Sequence, residues 1–108
     1  MSIFNDRERA FEQIFANNEE AKFRVIALRN RMLAEWTATQ IGLRGDARQT
    51  YVDHLMTSAI TLLEDEPFAA SITEDLKARG ASGAAMIVRE KMTELGLAAA
   101  EQLRRRIQ

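Results

Sequence analysis

The stretch Asn17 to Gly42, NNEEAKFRVIALRNRMLAEWTATQIG, carries a start signal, an apolar stripe and a stop signal in helical order. Asn17 followed three residues later by Glu20 forms a capping-box pair, in which each side chain satisfies a backbone N–H left free in the first turn. Val25, Leu28, Met32 and Trp36 recur at spacings of three and four, and Ile26 and Leu33 widen the stripe. One face is therefore expected to bury while Lys22, Arg24 and Arg31 stay in water. Trp36, the only tryptophan, is expected to anchor the core. Gly42 ends the helix as a residue that takes the left-handed C′ conformation without steric cost.

The rest of the chain repeats this grammar on shorter segments. Asn5 and Glu8 form a second capping box ahead of Phe11, Ile14 and Phe15, which predicts a short amphipathic helix within residues 1–16. Asn17 and Asn18 are poor helix-interior residues, so that segment either continues into the next helix or hinges away from it. Asp46 and Gln49 form a third box, opening a helix whose stripe is Val52, Leu55, Ala59 and Leu62 or Leu63, with Tyr51 and Ile60 beside it. The acidic run Glu64-Asp65-Glu66 is expected to end it as a solvated turn, and Pro67 to open the next helix at its first turn. Phe68, Ile72 and Leu76 then recur every four residues up to Gly80. Ser82 is a candidate N-cap for a last helix carrying Val88, Met92, Leu95, Ala99 and Leu103, with Gly96 inside it at a cost of roughly 1 kcal/mol. These patterns predict an all-α, four-helix up-and-down bundle over residues 17–108, with helices at about 17–41, 46–63, 67–79 and 83–106. Residues 1–16 precede it as a separate segment.

Composition agrees with this and excludes several classes of function. The 108 residues are 46% hydrophobic with 5 Gly, 1 Pro and no Cys, enough for one modest helical core without disulfides or thiolate chemistry. No signal peptide or membrane-spanning run is visible, and the absence of Cys fits a cytoplasmic setting. A net charge of −1 gives the whole chain no electrostatic reason to bind nucleic acid or acidic lipid. Segments differ: residues 1–20 carry five acids against two bases, and residues 21–41 carry four bases against one acid. Such alternation suits helices with complementary flanks.

Few constellations suggest chemistry. His54, the only histidine, sits beside Asp53 in sequence, but helix neighbours point about 100° apart and form no dyad. With one His and no Cys a metal site is not expected, and Gly80-Ala81-Ser82-Gly83 resembles a nucleic-acid GxxG loop without the sheet such a loop requires. No phosphate-cradling loop or nucleophile elbow occurs. Catalytic residues, metals and cofactors are accordingly not expected. Arg29-Asn30-Arg31 crosses the edge of the central stripe, as a network fixing bundle register or as a docking surface. Arg104, Arg105 and Arg106 fall in the last turn, where cations complement the helix dipole. Phe4, Phe11, Ile14 and Phe15, interleaved with Asp6, Arg7, Glu8, Arg9 and Glu12, fit a bundle-packed helix and a helix that inserts into a partner's groove equally well.

The residues themselves go further. Phe4 to Glu12, FNDRERAFE, then Phe15-Ala16, Phe23, Ala27, Arg29-Asn30-Arg31, Leu33 and Trp36 resemble the N-terminal half of the zeta subunit, the inhibitor of the alphaproteobacterial type of F-type ATP synthase. Tyr51, Asp75-Leu76 and the final helix extend the similarity over nearly the whole chain. The resemblance implies a four-helix bundle whose N-terminal segment enters the catalytic head, at an interface between catalytic subunits and rotor, and stops ATP hydrolysis. It implies that Phe4, Arg7, Glu8, Arg9, Phe11, Glu12 and Phe15 belong to that partner-binding segment, and Ile14 broadens their apolar face. The expected setting is the bacterial cytoplasm, peripheral to the inner membrane through the synthase, with no nucleic acid bound and no direct membrane insertion. The chain departs from the family pattern at Asn5, Ile14, Asn18, Leu28, Ala34 and Glu35, and at Ala59-Ile60-Thr61, where Asp-Phe-Glu is usual. The alternative reading is a small helical nucleic-acid-binding or scaffold module using Arg29, Arg31 and the C-terminal arginines.

Overall fold

The computed structural model describes residues 19–57 and 65–107, and these form four helices without a strand. They are α1 (Glu19–Gln40), α2 (Gly45–Thr57), α3 (Asp65–Ala78) and α4 (Ala84–Ile107). The fold is an all-α bundle. The helix expected within residues 1–16, the Asn17 cap and the continuation of α2 through Ala59, Ile60, Leu62 and Leu63 lie outside the described residues.

The glycine stops act as the sequence dictates. At the end of α1, Leu43 N–H donates to Ala38 C=O at 2.9 Å and Gly42 N–H to Thr39 C=O at 3.1 Å. That is the paired bonding of a Schellman motif, and Gly42 supplies its left-handed residue with φ 81°. The end of α3 repeats it, with Ala81 N–H on Leu76 C=O, Gly80 N–H on Lys77 C=O and Gly80 at φ 86°. Orphan carbonyls are satisfied and the chain reverses within a few residues each time.

The starts differ from expectation. Gln49 donates to Asp53 Oδ1 at 2.8 Å, along the exposed side of α2, instead of reaching back to a cap. Gly83, whose carbonyl accepts from Ile87 N–H at 3.2 Å, takes the N-cap position proposed for Ser82. Asp65 and Glu66 do not close α2: they form the first turn of α3, ahead of Pro67, where carboxylates oppose the positive end of the helix dipole.

Among the described residues two core clusters hold the bundle. The larger joins Leu33, Ala34 and Ala38 of α1 to Val52 and Leu55 of α2, Phe68, Ile72 and Leu76 of α3, and Ala84 and Val88 of α4. The smaller joins Val25 to Ala99 and Ala100, with Leu28, Met32 and Leu103 packed against it. Val25 thus meets the C-terminal half of α4, whereas Trp36 lies under Lys91, so α1 and α4 run antiparallel as a bundle of this order requires.

The buried face of α1 is rotated from the expected stripe. Its centre is Val25, Asn30, Leu33, Ala34, Thr37 and Ala38, and Trp36 is not the anchor. Trp36 is partly buried against the larger cluster, with the Lys91 ammonium 5.6 Å from its ring centroid. The reason is steric: small residues at the centre let neighbouring backbones approach, and an indole would hold them apart, so it packs at the rim. Among the described residues Phe68 is the largest side chain fully withdrawn from water.

Truncating a fully buried Phe costs about 3–5 kcal/mol. Phe68→Ala should therefore remove most of the stability of a domain this small, while Trp36→Ala should cost clearly less. Chemical denaturation followed by circular dichroism would check the order, and emission from the single Trp should fall between the buried and water-exposed extremes.

Candidate interaction site

Phe4, Arg7, Glu8, Arg9, Phe11, Glu12, Ile14 and Phe15 lie outside the described residues. The described part of the chain shows what surrounds their point of attachment and where the other candidate groups are. α1 begins at Glu19, and Glu20 accepts from Arg24 Nη2 at 2.7 Å on the exposed side of the first turns.

Arg29 and Asn30 form the network that one reading of the polar triplet requires. Asn30 is buried, and its Oδ1 accepts from Arg29 Nε at 3.2 Å and Nη2 at 3.0 Å. The same guanidinium makes a two-pronged pair with the Asp65 carboxylate, 36 residues on. The Arg29 side chain is only 12% exposed, so this is a docked group that fastens the first turn of α3 to the middle of α1. No buried side-chain nitrogen or oxygen among the described residues is left without a partner. Asp65 therefore has a structural job, where the sequence suggested a solvated turn.

This geometry bears directly on the alternative reading. Arg29 is committed inside the molecule, and Arg104 pairs with Glu101 at 2.6 Å, which together with the charge of that carboxylate raises its pKa. Arg31, Arg105 and Arg106 stay exposed, as does His54. The Gly80–Gly83 stretch serves as the connection between α3 and α4.

A shallow groove of about 410 Å³ runs between α3 and α4, floored by Ala69, Ala85 and Met92 and edged by Glu66, Glu74 and Arg89. Its one hydroxyl, on Thr73, donates to the Ala69 carbonyl at 2.7 Å and is not poised as a nucleophile. Among the described residues no group of three His, Cys, Asp or Glu could hold a metal ion, and no helix is long and apolar enough to cross a membrane.

On the opposite flank Tyr51 of α2 donates its hydroxyl to Asp75 Oδ2 of α3 at 2.6 Å. Burial pushes the Tyr51 pKa up strongly, reinforced by the hydrogen bond to the carboxylate and by its charge.

Across residues 1–102 the chain matches the family described as ATPase inhibitor subunit zeta. The chain belongs to that family. Comparison with curated proteins and with solved structures found no further match. The match includes residues 1–16 together with the bundle, so the segment that sequence alone left open between bundle-packing and groove-binding falls inside the matched range. Two of the departures from the family pattern, Leu28 and Ala34, are absorbed by the fold. Leu28, where an Arg is usual, packs against the smaller core cluster, and Ala34, where Gly is usual, is a small residue at 0% exposure in the larger one.

Tyr51 is the only tyrosine, so its ionisation can be read without interference. The folded chain favours the neutral phenol, which makes the associated stability fully present below the unfolded pKa of about 10 and lost as pH rises beyond it. Tyrosinate absorbance should be nearly absent at pH 10 in the native chain and half-developed in denaturant. Stability should fall above pH 10, and Tyr51→Phe should remove that fall at a cost of about 1 kcal/mol.

Proposed function

We propose that this chain regulates the F-type ATP synthase by inhibiting ATP hydrolysis in its catalytic head, with residues 1–16 as the inhibitory segment and no chemistry of its own. The segment enters as an amphipathic helix at an interface between catalytic subunits and rotor. Phe4, Phe11, Ile14 and Phe15 are its apolar anchors, and Arg7, Glu8, Arg9 and Glu12 make its rim contacts. Residues 17–108 form the bundle that carries it, and the protein is peripheral to the membrane through the synthase.

One observation carries the reading: the inhibitor-family match runs from residue 1 through residue 102, taking in the DRERAFE stretch as well as the bundle. The chemistry of the segment supports it. On a helix, Phe11 and Phe15 lie four apart on one face with Ile14 beside them, the arrangement of helix-in-groove recognition. The core clusters formed by the described residues also give the bundle apolar contacts of its own.

The direct test adds the purified chain to the cognate catalytic head and follows ATP hydrolysis, which should fall to a low plateau. A chain starting at Asn17 should keep most of its helicity and a cooperative transition yet fail to inhibit. Aromatic anchors in a desolvated pocket commonly carry 2 kcal/mol or more each, so Phe11→Ala with Phe15→Ala should weaken inhibition at least about a hundredfold. Glu12→Gln should do far less, since rim charges act mainly on association rate. Unchanged inhibition by the double variant would move the binding role away from these phenylalanines.

A further inference from the structure

The reading above leaves the exposed side of the α1–α4 pair unused. The first turn of α3 is fastened at the level of Arg29. On the part of α1 before that point Phe23 stands 56% exposed, and Ile26 and Ala27, three and four residues on and so on the same face, are half-buried.

A single exposed apolar side chain is ordinary, and Met86 and Ile87 near the start of α4 are of that kind. Phe23 differs by position. It lies one turn into α1, directly beyond the inhibitory segment in sequence, and it is ringed by the exposed Glu19, Glu20, Lys22 and Arg24. An aromatic centre within a charged rim is the anatomy of a protein interface. Size points the same way: a specific, stable interface takes about 20–30 residues a side, more than the sixteen of the segment.

We infer that the Phe23–Ile26–Ala27 strip is the second part of the inhibitory interface, with Phe23 seated in an apolar pocket of the catalytic head beside the place where residues 1–16 enter. The inference rests on the proposed inhibitory role. On this arrangement the bundle is itself in contact with the head, and inhibition depends on the orientation of α1 as well as on the segment.

The test compares full-length chains in the hydrolysis assay. Phe23→Ala should raise the concentration for half-inhibition at least about tenfold, consistent with loss of one aromatic anchor, while its melting temperature stays that of the parent because the side chain is exposed. Phe23→Leu should retain most inhibition, and Met86→Ala all of it. A photo-crosslinker at position 23 should capture a subunit of the head, and one at position 86 should not. If the parent chain inhibits and Phe23→Ala inhibits equally well, this inference fails and the proposed function stands. If Phe23→Ala melts much earlier than the parent, Phe23 belongs to the fold and the inference fails as well. If the parent chain does not inhibit, both fail.

Discussion

The bundle takes one guanidinium almost wholly inside, and much of its geometry follows from how that charge is satisfied. Arg29 is held by Asn30 on its own helix and by Asp65 on α3, and its side chain is 12% exposed while that of Asp65 is 56% exposed. Leaving such a cation without its carboxylate is expensive, because the desolvation is not recovered anywhere else. The pair therefore sets where α3 can begin along α1. Once α3 begins there, Phe68, Ile72 and Leu76 fall opposite Leu33, Ala34 and Ala38 in one cluster. The Asp65 carboxylate also sits in the first turn of its helix, where the dipole adds to the attraction. Register, helix start and charge burial are thus one constraint.

Features governed by local geometry were legible in the residues. Gly42 and Gly80 end α1 and α3 with the bonding expected of them, and the four-residue recurrence of Phe68, Ile72 and Leu76 became the buried face of α3. Features governed by packing were not. A stripe read by hydrophobicity gives most weight to the largest side chains, which put Trp36 at the centre of α1. The close approach of helices gives the centre to Ala34, Thr37 and Ala38, whose size and not whose hydrophobicity qualifies them. Thr37 was missed for the same reason; its hydroxyl is disposed of on the Leu33 carbonyl at 2.8 Å, so a polar residue buries without loss. Pairing across 36 residues is likewise invisible to spacing rules, which is why Asp65 looked like part of a solvated turn. The candidate site divides in a similar way: the amphipathic pattern of residues 4–15 was plain, but periodicity could not say whether its apolar face turns inward or toward a partner. The family match takes in that stretch without assigning its contacts.

An inhibitory helix joined to a folded bundle has a physical advantage over a free peptide on the reading proposed here. Forming the first turn of a helix fixes several residues for a single hydrogen bond, so short isolated helices are marginal in water. α1 carries Glu19 and Glu20 in its first turn, and Val25 clusters with Ala99 and Ala100 of α4. A segment that becomes helical by extending an existing helix skips nucleation and gains one hydrogen bond for each residue it fixes. The ordering cost charged against binding is reduced accordingly, and affinity rises with no additional contact.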